Sequence, residues 1–383
     1  MAQNKNQHFV PRCYLKQFSK NSEGIGINLY NIERKKVICS ASLKNQCSKN
    51  YFYGKGPELV VLENMIQSIE QSFASTIKEI TLSLKLTVKN EFYLKRFWLL
   101  QYLRTEAASE RTVKIQIDMV KLAREDPNSH DISIKSAALL AMEMYKRSPS
   151  MVDDMEVCLL LNKTKLPFIT SDDPAILSNR WHLYDTRTKN LPYGLYSAGN
   201  LLLLPITPNI FCLGYDKSVY LVSHKNKLLN INDERDVEAI NQHQVLNCKA
   251  NLYIKEDSHI DLLMDSIIKT TKQRPTERHE SKYALMKQTN NGLTQYEYAD
   301  PNKISGSHEA MIQGSILKIE PTSWPSLLKL RESGSVFTDG STAGYLRPKH
   351  IPSERKKFFS KENIKLKKAK RQIRRNARKF LQN

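Results

Sequence analysis

Apolar residues recur at three and four along Leu59, Leu62, Met65, Ile66, Ile69, Phe73 and Ile77, so the chain beyond Glu58 reads as an amphipathic helix. Glu63 and Glu70 fall one heptad apart on the border of its apolar face. Helical patterning runs to about Arg124, and the run from Phe92 to Leu122 puts Phe97, Leu100, Gln101 and Arg104 on one side. After a break at Glu125–Ser129, helix resumes from Asp131 to Asp154 with small packing residues. The period then changes. Val157–Leu161 is continuously apolar, Phe168 begins a second run ending at Asp172 and Asp173, and two more runs flank Pro205 and Pro208, from Leu201 and around Phe211. Glu234 to Cys248 reads as a helix capped from Asn230–Asp233, and Ala250–Ile254 as a last strand.

Helices gathered before strands predict an α+β fold, with a helical segment packed on a mixed or antiparallel sheet built from the Val157, Phe168, Leu201, Phe211 and Ala250 runs. Ahead of the helices, Gly24–Asn31 and Lys35–Cys39 alternate like a small hairpin. Tyr51, Phe52 and Tyr53 read as a loop that plugs onto a core, base stacking being the other reading. The domain reading is a core over 7–255, an appended region over 256–352, and a basic helical tail over 353–383.

The opening, Gln7-His8-Phe9-Val10-Pro11-Arg12-Cys13-Tyr14-Leu15-Lys16-Gln17-Phe18, joins an irregular entry to a short amphipathic turn, with Pro11 suited to its first helical position. His8 would then stand just outside a helix start, where a side chain is aimed at a cleft or held as a structural hydrogen-bonding group. Arg104 projects from an apolar helix side, and an unpaired guanidinium there costs too much to keep. It needs an ion pair with Glu70 or Glu63, or a ligand. Asp172 ends a strand beside Pro174, a position suited to catalysis, to metal ligation or to a self-capping turn. Asn241 sits mid-helix, which calls for a specific hydrogen bond to a neighbouring segment.

Taken in order, His8-x-x-Pro11, Asn50–Tyr53, the Glu63–Glu70 helix, Gln101–Thr105, Phe168–Pro174, Leu204–Pro208 and Asn241 resemble a mostly bacterial family, domain of unknown function 4238. The similarity spans Gln7 to Ile254. It implies a domain boundary and a list of candidate residues, and it brings no reaction.

Charge adds a partner. The net charge is +20 with a pI near 9.5. Of that excess, +11 lies between Ser353 and Asn383, where 13 Lys and Arg face two Glu. Such a tail favours RNA or DNA, with Lys367, Lys368, Arg371, Arg374 and Arg375 as phosphate contacts, against a solvated helix or a protein-docking arm. Six scattered cysteines with no C-x-x-C argue for reduced thiols over disulfides or structural zinc. The N-terminus is polar and no stretch is long enough to span a membrane, so the expected location is the cytoplasm.

No P-loop, His-Glu-x-x-His or Gly-x-Ser-x-Gly pattern is present in the chain. What remains is a dispersed set. His8, Glu70, Arg104 and Asp172 would be catalytic, Glu70 and Asp172 would ligate Mg2+, and Gln101 and Asn241 would bind. The expectation is a nucleic-acid-processing protein, a metal-assisted nuclease, with a bacterial defence role as an association only. The alternative is a non-catalytic nucleic-acid binder or sensor whose polar set is a structural network. One solvent-accessible pocket shared by the four residues favours the enzyme; separate buried pairs favour the binder.

Overall fold

A computed structural model describes residues 5–56, 59–188, 191–290, 293–305, 308–332, 336–338 and 344–351. The expected basic helix, with Lys367, Lys368, Arg371, Arg374 and Arg375, lies outside the described residues.

In chain order the first elements are β1 (Asn6–His8), α1 (Arg12–Leu15), β2 (Gly26–Asn31), β3 (Lys36–Ser42) and β4 (Ser48–Asn50). The helical half follows as α2 (Val60–Ser83), α3 (Val88–Arg104), α4 (Glu106–Leu122) and α5 (Ile134–Arg147). Helix reading from 58 to 124 is thus interrupted twice. Leu84 ends α2 in the left-handed region at φ 48°, its N–H donating to the Ile80 carbonyl. Thr105 is extended and caps α4, its hydroxyl accepting from Ala108 N–H. The apolar faces meet as expected of the pattern: Phe73 of α2 stacks on Phe97 of α3 at 3.4 Å, and Tyr14 of α1 packs beside both rings.

The second half holds β5 (Glu156–Asn162), β6 (Thr170–Ser171), β7 (Ile176–Ser178), α6 (Arg180–Tyr184), β8 (Leu201–Thr207), β9 (Ile210–Tyr215), β10 (Tyr220–Leu221), β11 (Leu228–Ile231), α7 (Glu234–Asn247) and β12 (Asn251–Ile254). The fold is α+β, but the strands expected in one sheet divide between two. One sheet has the order β11-β5-β9-β8-β7, with β11 parallel to β5 and the other pairs antiparallel. The other is antiparallel, β3-β2-β12-β6, so the runs after Phe168 and Ala250 leave the main sheet and join the N-terminal hairpin. The reason is visible at the turn before β12. The Asp172 carboxylate accepts N–H groups from Lys249, Ala250 and Asn251 at 2.7–2.9 Å, locking the end of β6 to the start of β12.

Beyond 256 come α8 (Asp257–Thr271), β13 (His279–Asn290), β14 (Leu293–Tyr298) and β15 (Ala310–Ile316), the strands ordered β14-β13-β15. β13 and β15 lie against α4. Further on, the Arg347 side chain, 1% exposed, pairs with Asp154 at 2.8 Å and donates to the Met151 carbonyl. Among the described residues no helix is long and apolar enough to cross a membrane.

Candidate functional site

β1 pairs with β4, setting His8 opposite Ser48, and an extended Pro11 (φ −72°, ψ 148°) starts α1 at Arg12. His8 therefore sits on a short strand rather than in an irregular entry, with Arg12 and Cys13 one helical turn beyond it. Across from them α2 contributes Glu63, Gln67 and Glu70, and Tyr53 closes one side. Together they line an open cleft of about 590 Å³.

The polar groups of this cleft form two chains. In the first, Gln7 donates to Glu63 Oε1 at 2.8 Å and accepts the Tyr53 N–H at 2.8 Å, which fixes the aromatic loop against β1. In the second, Arg104 Nη2 donates to Glu70 Oε1 at 2.8 Å and its Nε to Gln101 Oε1 at 3.3 Å, while Gln101 donates to the Phe9 carbonyl at 2.7 Å. Arg104 takes Glu70 rather than Glu63 because Glu63 is occupied by Gln7. Gln101, expected to bind a ligand, instead ties the N-terminal strand to α3.

Three polar atoms here have no hydrogen-bond partner: His8 Nε2, Tyr53 Oη and Arg104 Nη1. The Tyr53 hydroxyl lies beside the Arg104 guanidinium without hydrogen-bond geometry to it. Burial first, then the charge of Arg12, lowers the His8 pKa, while Glu70 and a backbone hydrogen bond at Lys44 pull the other way. Burial pushes the Cys13 thiol up to about 12, with Glu70 adding to it, so that sulfur is not a nucleophile near neutral pH.

Arg104 is 0% exposed and stands behind Tyr53 and Glu70, so it positions Glu70 and does not reach a ligand. The exposed guanidinium on the cleft is Arg12, which the pattern of apolar faces gave no reason to single out. Its signal was position alone, four residues after His8 in the same motif.

Asp172 and Asn241 lie elsewhere. Asp172 is held by the three backbone N–H groups already described; burial lifts its pKa to about 6, against the pull of those same donors. Its neighbour Asp173, 1% exposed, accepts from Thr105 Oγ1 at 2.6 Å, Arg111 Nη1 at 2.8 Å and Asn247 Nδ2 at 3.0 Å. Asn241 accepts the Ile169 N–H at 3.1 Å and donates to the Pro167 carbonyl at 2.8 Å, bridging α7 to the approach of β6. The placement of Asp172 beside His8, and of Asn241 as a ligand contact, is therefore corrected: both side chains are saturated by the chain itself. Glu70 and Asp172, expected to share a Mg2+, sit in different networks with their carboxylates engaged by Arg104 and by backbone amides. This pair does not fit a shared ion. Among the described residues no group of three or more His, Cys, Asp and Glu is placed to hold a metal.

The fold and the cleft define an α+β domain organised around the His8-x-x-Pro11 opening. The chain belongs to the family described as protein of unknown function (DUF4238), whose model matches residues 6–258. That span contains both the His8 cleft and the Asp172–Asp173 network. Comparison with curated proteins gave no match, and comparison with solved structures gave none either.

Proposed function

We propose that the His8 cleft accepts a phosphate-bearing strand and that the protein processes nucleic acid by acid–base cleavage of a phosphodiester. The supporting observation is His8 Nε2, a buried imidazole nitrogen with no partner, in an open cleft that also carries the exposed Arg12. A histidine whose pKa is held below its ordinary value is neutral at pH 7 and able to take a proton from an attacking 2′-hydroxyl. As the O2′–P bond forms and the P–O5′ bond breaks, the imidazolium or a water it protonates gives a proton to the departing 5′-oxygen, leaving a 2′,3′-cyclic phosphate. Arg12 faces the same space and would stabilise the negative charge that builds on the phosphoryl oxygens. Glu70, oriented by Arg104, opposes the imidazole and stabilises it once protonated. Tyr53 Oη offers a further hydrogen bond. Carboxylate-bound metal has no step in this reading. RNA suits it best, since its 2′-hydroxyl supplies an internal nucleophile.

A second reading has its own support: His8 and Glu70 share the cleft, but Arg104 is buried in a pair with Glu70 and Asp172 is buried elsewhere, the arrangement expected of the binder. Asp172 and Asn241 are internal structural groups, as expected of a non-catalytic binder whose polar set holds the core together. Purified full-length protein incubated with RNA, single-stranded DNA and duplex DNA, in EDTA and in Mg2+, separates the two. Cleavage of RNA in EDTA that disappears in His8→Ala is the expected result. Binding without cleavage moves the protein to the second reading.

A further inference from the structure

A pair of cavities lies away from the His8 cleft, where β15 closes over α4 and α5. The backbone comes so close that a Cβ at Gly314 would run into the Ile115 side chain. On one side of β15 is a cavity of about 540 Å³ lined by Ile115, Leu140, Ala141 and Met144; on the other is a more polar one of about 800 Å³. Lys318 and Tyr193 line both.

At the buried end of these cavities cations outnumber carboxylates. Lys318 has no carboxylate partner among the described residues, its ammonium standing 5.1 Å from the Tyr193 ring. Arg111 and Arg278 are near enough to act on it electrostatically, and the carboxylate they face, Asp173, is shared with Thr105 and Asn247. Arg278 spends its donors on Asn247 Oδ1 at 2.9 Å and on backbone carbonyls. Two further atoms here, Tyr193 Oη and Arg111 Nε, are buried without a partner at hydrogen-bond geometry, in residues 7% and 9% exposed, the Ser178 hydroxyl being the polar neighbour of Tyr193 Oη. Burial, then Arg111 and Arg278, push the Lys318 ammonium down to about 7, the response of a cation placed where an anion would neutralise it. The more polar cavity is also lined by His182, Glu277, Glu280, Lys282, Tyr298 and Glu320; of the carboxylates, Glu280 pairs with Lys282 at 3.0 Å and Glu277 lies 3.5 Å from His279.

We propose that this is a ligand site for a small amphipathic acid, its anionic head between Lys318, Arg111 and Tyr193 and its apolar body between α4 and α5. A cationic end and an apolar floor in one cavity select against a bare inorganic anion and against a neutral alcohol alike. The site uses β15 and Lys318, which lie beyond the residues matched by the family, and it is independent of the His8 cleft.

Calorimetric titration of the full chain at pH 6 tests it, with octanoate, octyl phosphate, octanol and inorganic phosphate as probes. The expected result is saturable one-to-one binding of octanoate, octyl phosphate or both, at least tenfold tighter than octanol or inorganic phosphate. The two amphipathic acids report whether a carboxylate or a phosphate head is preferred. Lys318→Met should weaken binding at least tenfold, Lys318→Arg should retain it, and Ala141→Phe should block it by filling the apolar end. Equal affinity for octanol or inorganic phosphate overturns the proposal, as does wild-type binding by Lys318→Met. Should Lys318→Met fail to melt cooperatively, the four-probe comparison on the unaltered chain decides.

Discussion

The His8 cleft and the Asp172–Asp173 network are built from the same materials, a few carboxylates, an arginine and amides between apolar elements, and they end in opposite states. Around Asp172 and Asp173 the carboxylate oxygens are met by donors from residues tens of positions away, and both residues are buried. In the cleft, Glu63 and Glu70 are engaged, but the His8 imidazole keeps a nitrogen without a partner, and Arg12 is exposed. A polar group in a protein interior is expected to be satisfied, so an unsatisfied one in a residue that lines a cleft is the better marker of function than acidity or charge.

The largest effect that would sharpen this contrast is on Asp173. Asp173→Ala strands the Arg111 guanidinium and the Thr105 hydroxyl, while the Asn247 amide keeps its bond to the Asp173 carbonyl, and should cost about 3–5 kcal/mol in urea unfolding. A cost below about 1 kcal/mol would mean that the network is not what holds α4 and α7 to the end of β6. By contrast, His8→Ala should cost less than about 1 kcal/mol of stability and lower RNA cleavage by about 10²–10⁴-fold. Because burial and Arg12 lower the His8 pKa, the acid limb of the wild-type rate profile should fall below pH 6.5; a limb above that value would assign the titration to another group.

Asp172 supplies a smaller and pH-dependent effect. Its folded pKa of about 6 lies above the ordinary 3.8, so the folded state holds the extra proton between those values and stability falls as pH rises through that window. The contribution is at most about 3 kcal/mol. It is read as the difference in unfolding free energy between wild type and Asp172→Asn from pH 3.5 to 6.5. A difference that grows with pH in the opposite direction would show the three amide donors winning over burial.

The smallest effect on the fold concerns the tail. Ending the chain at Pro352 should leave the melting temperature of the core unchanged and flatten the salt dependence of RNA binding, because fewer phosphates would be neutralised. Equal slopes for both chains would show that the nucleic-acid contact lies elsewhere.

Much of the local structure was legible. The hairpin at Gly24–Cys39, the apolar faces of α2 and α3, and the strands at Val157, Leu201 and Phe211 follow from period and from strand-forming residues. The helix breaks at Leu84 and Thr105 were not, since neither residue is a Gly or a Pro. Thr105 breaks the helix through its side chain, which caps α4 and bonds Asp173, a partner 68 positions away. Lys318 was not singled out; a lone lysine between Leu317 and Ile319 is ordinary until Arg111 and Arg278 are brought beside it.

From the sequence alone, Arg104 on an apolar helix side had to find an anion, because a buried guanidinium cannot stay unpaired, and Asn241 within a helix had to reach another segment. The tertiary structure decided which anion and which segment. Gln7 occupies Glu63 and so leaves Glu70 to Arg104, while the amides at 249–251 draw Asp172 away from His8 and carry β12 into the hairpin's sheet. Hydrophobic period is a property of neighbours along the chain. Hydrogen-bond satisfaction and charge balance are properties of neighbours in space, and those arise only when the chain has closed on itself.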